Sequence, residues 1–129
     1  MPIVIVRPTL LYGPYEAARR LAPDVVLAHL RGIPLQLSSP SIRKDFLFVE
    51  DALDAFEIAA TRDIPAGEVI NIAGAKEHTI REVVAAVRRI TGATISFQWG
   101  SLASRSWDLT KAHKFDITKA ARVLGWRPA

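Results

Sequence analysis

The stretch Arg43-Lys44-Asp45-Phe46-Leu47-Phe48-Val49-Glu50-Asp51 decides how this chain is read. It joins a basic pair to a short apolar run suited to a strand, Phe46 to Val49, and passes directly into two acids that open a helical pattern. Leu53, Phe56, Ala59 and Ala60 recur at helical spacing and predict a helix from about Glu50 to Thr61 with these four side chains on its inner face. Glu50 and Asp51 then fall in the first turn, where the positive end of the helix dipole favours carboxylates. A strand that feeds a helix, with charge at both edges, is α/β in character.

The flanking sequence agrees. Ile3-Val4-Ile5-Val6, closed by Arg7-Pro8, is a continuous, mostly β-branched run that reads as a parallel strand buried on both faces. Leu10-Leu11-Tyr12-Gly13-Pro14 leaves it as a turn. Val25, Val26, Leu27 and Leu30 mark a helix from Pro23 to Arg31, stopped by Gly32 and Pro34. Leu35-Gln36-Leu37 alternates like a strand, and Glu68 to Ala73 makes a stronger one. Thr79 and Glu82 form a capping-box pattern, after which Ile80, Val83, Val84, Val87 and Ile90 give one apolar helical face ending at Gly92. A strand from Thr94 to Trp99, an unpatterned basic loop from Gly100 to Lys114, and a helix capped by Asp116 and running through Leu124 complete the chain. The expected fold class is α/β, with a small mixed or partly parallel sheet and three to four helices. No linker, repeat or low-complexity segment divides residues 1–129, so they read as a single domain or a partial one.

Composition narrows the function classes. Half of the residues are apolar and 23% are charged, which suits a globular fold. No apolar run approaches the roughly 18–20 residues needed to cross a bilayer, and the start lacks the basic region of a signal peptide. With no cysteine there are neither disulfides nor thiolate metal sites, and a cytoplasmic location is expected. His29, His78 and His113 show no ligand spacing, so no metal is expected. No Gly-x-Ser-x-Gly, cysteine nucleophile or Walker lysine is present. The net charge of +4 is spread over pairs such as Arg19/Arg20, Arg43/Lys44 and Arg88/Arg89, too thin for nucleic acid but ample for a phosphate-bearing metabolite. Arg43 has two open readings: a planar fork for phosphate, or a surface ion pair with Asp45 or Glu50. Arg105 raises the same question. Tyr12 either lines a pocket or packs, and packing is the simpler reading.

Four segments in order carry a resemblance. Arg7-Pro8-Thr9-Leu10-Leu11-Tyr12-Gly13-Pro14 is similar to the Arg-Pro-x-x-x-Tyr-Gly-Pro segment of the extended short-chain dehydrogenases, the NAD-dependent epimerase/dehydratase family that acts on nucleotide sugars. The Arg43 to Asp51 stretch resembles that family's Arg-Asp-Phe-x-x-Val-x-Asp, here with Lys44 inserted. Asn71-Ile72-Ala73 resembles its Asn-Ile-Gly strand, and Asp116 to Pro128 its closing helix and Leu-Gly-Trp-x-Pro ending.

The resemblance covers the family's C-terminal portion. It implies a substrate-binding lobe of an extended Rossmann-type enzyme with one late strand of the dinucleotide sheet. It places Pro8 and Tyr12 near the nicotinamide end of the cofactor and Leu10 where many members carry a substrate-contacting asparagine. Arg43 and Arg105 become contacts to the substrate diphosphate. The family's glycine-rich turn and its catalytic Tyr-x-x-x-Lys are absent from these residues, since neither Tyr12 nor Tyr15 has a lysine four positions on. The resemblance therefore implies no catalytic residue in this chain, NAD or NADP in the complete enzyme but none held by this chain alone, and no turnover in isolation. The expected ligand is a nucleotide sugar or another phosphorylated small molecule. An apolar first strand cut from its sheet implies self-association or a missing N-terminal half. A stand-alone module binding a phosphorylated metabolite or a partner protein is the alternative, and a degenerate fragment a third.

Overall fold

The computed structural model describes residues 3–92, 96–103, 106, 108, 111 and 114–129. In chain order the elements are β1 (Ile5–Pro8), β2 (Leu10–Tyr12), α1 (Leu21–Arg31), β3 (Leu35–Leu37), β4 (Arg43–Phe48), α2 (Val49–Thr61), β5 (Val69–Ile72), β6 (Glu77–Thr79), α3 (Ile80–Thr91), β7 (Phe97–Trp99) and α4 (Thr118–Val123). Three ladders are parallel: β1 with β5, β2 with β4, and β3 with β7. Parallel pairing needs long crossovers, and the chain supplies them as helices. The α/β class with four helices among the described residues matches the sequence expectation.

The chain forms two compact units. The first comprises Met1–Pro14, Asp45–Glu77 and His113–Ala129. Its core is Leu47 from β4, Ala52 and Ala55 from α2, Ile64, Ile70 and Ile72 around β5, and Ala120, Leu124 and Trp126 at the C-terminal end. Trp126 donates its indole N–H to the Asp51 carbonyl at 2.9 Å, so burying the ring leaves no unpaired donor. Lys119 pairs with Glu68, tying α4 to the start of β5.

The second unit comprises Tyr15–Lys44 and His78–Ala112. Here α1 packs on α3, and Val25, Ala28, Leu37, Ile42, Ile80 and Val84 are buried. Gly32 ends α1 and Gly92 ends α3, both left-handed at φ 65° and 69°. The predicted capping box is present: the Thr79 amide donates to Glu82 Oε2 at 2.8 Å, and the Glu82 amide donates to Thr79 Oγ1 at 3.1 Å. The next two amides of α3 are also taken, Ile80 by the Ile42 carbonyl and Arg81 by that of Pro40.

Several expectations are corrected. The inner face of α2 is Ala52 and Ala55 with half-buried Ile58 and Ala59, whereas Leu53 is 59% and Phe56 40% exposed. Small residues let the helix approach the strands closely, which turns the larger ones outward. The first strand is Ile5–Pro8 rather than residues 3–6, and it is not buried on both faces: Ile3 and Ile5 are exposed, and among the described residues its only ladder is with β5. Residues 10–12 form β2, not a turn, because Phe46–Phe48 of β4 supply its ladder. At the end of α3, Ile90 is 78% exposed. Asp116 sits one residue before the N-cap position, which is Ile117, yet its Oδ1 still accepts from the Thr118 amide at 2.8 Å. Of the strand expected from Thr94, positions 94 and 95 lie outside the described residues.

Candidate functional site

In open parallel sheets, ligands gather beyond the carboxyl ends of the strands. In the first unit that position is built by the residues after β1 and β5. The ladder ends at Pro8 opposite Ile72, and the Thr9 amide extends it by one bond to the Ile72 carbonyl at 3.1 Å. Asp45 locks the two ends together. Only 4% exposed, it accepts at Oδ1 from the Thr9 hydroxyl at 2.8 Å and from the Gly74 amide at 2.7 Å. Gly74 is required for this approach, because a Cβ there would stand 2.2 Å from the Phe46 carbonyl oxygen.

The segment so fixed carries three of the residues singled out from sequence. Pro8 is exposed and Leu10 is half-buried opposite Phe46. The Tyr12 ring meets Phe46 edge-on at 6.2 Å and Phe48 at 5.5 Å, and the residue remains partly exposed. Tyr12 therefore packs and still presents surface. The chain then turns at Gly13, where φ is +149° and a Cβ would lie 2.5 Å from Val49 Cγ1. Pro8, Leu10 and Tyr12 thus come together on one segment anchored by Asp45. Sequence reading missed Asp45 except as a possible partner for Arg43.

In the second unit, Arg43 is half-buried on the first residue of β4. Glu82 is one of its electrostatic neighbours within the unit. That carboxyl is held below its ordinary value, chiefly by hydrogen bonding to the Thr79 amide and hydroxyl, with His78 and Arg43 adding attraction. His78 Nδ1 lies 3.9 Å from Glu82 Oε2. Lys44, the inserted residue, is used locally: its Nζ reaches Asp108 Oδ1 at 2.9 Å. Arg105 lies outside the described residues. Among the described residues no cluster of His, Asp or Glu could hold a metal ion, and no helix is long and apolar enough to cross a membrane.

Residues 1–73 match the model of the NAD dependent epimerase/dehydratase family. The dTDP-glucose 4,6-dehydratase of Salmonella typhimurium strain LT2 is 30% identical over 135 residues, covering 99% of this chain and 37% of the relative. A Bacillus subtilis protein described as an uncharacterized UDP-glucose epimerase is 26% identical over 130 residues, covering 100% of this chain and 40% of its own length. The crystal structure of the UDP-glucuronic acid 4-epimerase of Bacillus cereus in complex with UDP-glucuronic acid and NAD superposes with a TM-score of 0.89 at 25% identity, over 100% of this chain and 41% of that one. The chain thus spans about two fifths of the length of the relatives it matches.

Proposed function

The chain belongs to the NAD dependent epimerase/dehydratase family, and from that premise we propose that it is the C-terminal, substrate-binding part of an NAD- or NADP-dependent enzyme acting on nucleotide sugars in the cytoplasm. The observation that carries the reading is the Asp45 lock, which holds the Pro8–Tyr12 segment at the carboxyl ends of two parallel strands. In this reading the β1–β5 pair is a late part of the dinucleotide sheet, and residues of the second unit form the substrate lobe. Pro8 and Tyr12 border the nicotinamide, Leu10 faces substrate, and Arg43 with Arg105 holds the diphosphate through planar, charge-assisted hydrogen bonds.

The residues present fit one wall of a dinucleotide site and no more. The glycine-rich turn that would seat the pyrophosphate is not among them, nor is a Tyr-x-x-x-Lys pair. In the complete enzyme the reaction is reversible hydride transfer between the nucleotide sugar and the nicotinamide, leading to epimerisation, dehydration or reduction. This chain contributes recognition, and it is inactive alone. Exposed Ile5 on β1 with Ile3 just before it, and separately the exposed Leu53 and Phe56 on α2, support a role for apolar surface of this unit in joining a further polypeptide segment or a second copy.

The test is complementation. An N-terminal half carrying the glycine-rich turn and Tyr-x-x-x-Lys is mixed with this chain, and cofactor-dependent turnover of UDP- and dTDP-sugars is followed. Restored turnover that falls at least tenfold with Arg43→Ala supports the reading. Failure with halves from several relatives, while the chain alone still binds nucleoside diphosphate, would favour a stand-alone binding module.

A further inference from the structure

Helix α3 presents two different sides. Ile80 and Val84 are buried, while Arg81, Ala85 and Arg88 recur at i, i+4 and i+7 on an exposed stripe that runs out at Gly92. The small Ala85 leaves a depression between longer side chains. Facing it, Phe97 and Trp99 of β7 stand two positions apart and therefore on one face of the strand. Their rings lie 6.1 Å apart at 39°. Together these residues and Arg89 line an open cleft of about 500 Å³. This lies within the roughly 300–1,000 Å³ usual for small-ligand clefts.

Charge and aromaticity define what the cleft accepts. Among the described residues, Arg81, Arg88 and Arg89 line it and no carboxylate does. Arg81 lies in the first turn of α3, against the helix dipole, so helix stability does not account for a cation there. Its guanidinium carbon instead lies over the Trp99 ring, 5.3 Å from the centroid, a cation–π contact that biases the side chain toward the cleft. Arg89 adds a second cation from the last turn. The N-terminal amides of α3 are already bonded within the protein, so anion binding here depends on side chains. Arg43 does not line the cleft.

We propose that this cleft is a binding site for a nucleoside mono- or diphosphate, with phosphate on Arg81 and Arg89 and the base against Phe97. An aromatic wall beside guanidinium groups suits a ligand that is planar at one end and anionic at the other. The site is independent of the diphosphate role assigned to Arg43.

The experiment titrates the full chain with UDP, ADP and inorganic pyrophosphate by calorimetry, in the Arg43→Ala/Arg105→Ala background so that the other site does not contribute. Nucleotide affinity is expected to survive in that background. It should fall at least tenfold in Arg81→Ala/Arg89→Ala and in Arg89→Ala alone at least threefold, with circular dichroism unchanged because both side chains are exposed. Phe97→Leu should weaken the nucleotides and leave pyrophosphate unaffected. Nucleotide binding abolished by Arg43→Ala/Arg105→Ala alone, or unchanged in Arg81→Ala/Arg89→Ala, overturns the proposal while leaving the function above intact. Pyrophosphate binding as tightly as UDP and ADP also overturns it, because the aromatic wall would then contribute nothing.

Discussion

Replacing Asp45 by alanine should loosen the first unit more than any other single polar substitution. The side chain is buried and its Oδ1 accepts two hydrogen bonds, from residues 36 and 29 positions away in sequence. A hydrogen bond to a charged group contributes about 1.5–3 kcal/mol net, and a buried donor left without a partner costs about 1–3 kcal/mol. Because the two bonds share one oxygen, the low end applies, giving about 3 kcal/mol for Asp45→Ala. Asp45→Asn keeps a carbonyl oxygen and should cost about half as much. Native-state hydrogen exchange at Gly74 and at β5 is the appropriate assay, since it reads one unit at a time. A loss of about 3 kcal/mol accelerates exchange there roughly 150-fold, at about 1.4 kcal/mol per factor of ten. Thr9→Val alone should cost about 1–2 kcal/mol, and much less once Asp45 is alanine, because contacting residues are not additive. Exchange at Gly74 within about threefold of the parent, or a Thr9→Val effect unchanged by the Asp45→Ala background, would refute the lock.

Four further outcomes follow from the same structure. Thr79→Ala should cost about 1 kcal/mol, confined to α3, as loss of an N-cap does. The Glu82 carboxyl is lowered from an ordinary value of 4.5, so its contribution is present above that pH and is lost as pH falls through the lower folded value; Glu82→Gln should flatten the acid limb of α3 unfolding followed by NMR. Leu53→Asp, at the more exposed position, should change monomer stability by no more than about 0.5 kcal/mol yet weaken any dimer or complementation complex seen by sedimentation, whereas Leu47→Ala, at a fully buried position, should cost about 2–5 kcal/mol.

The parts legible from sequence were those whose causes are local. The capping box at Thr79 and Glu82 lies within one turn, and both glycine stops act on their own helix. The illegible parts depend on partners far away. Leu10 to Tyr12 looked like a turn because Gly13 and Pro14 follow; only Phe46–Phe48 makes it a strand. Glu77 to Thr79 is too polar to be chosen as a strand from composition, and its place in a sheet comes from its neighbours. The helix α2 has apolar residues on two sides, and periodicity reports an apolar stripe without saying which stripe faces the core. Asp45 illustrates the same limit at the site. An acid between a lysine and a phenylalanine carries no mark of burial until Thr9 and Gly74 arrive from elsewhere.

The position of Trp126 in the first core has a consequence for synthesis on the ribosome. That unit combines residues near both ends of the sequence with residues 45–77, and Ala120, Leu124 and Trp126 are the last of its core to be made. At about 5–20 residues per second, some 3–10 s pass between the emergence of β5 and that of Trp126. Throughout this interval Leu47, Ile70 and Ile72 lack their final cover. The nascent chain is therefore a natural client for a holding chaperone until its closing helix is delivered.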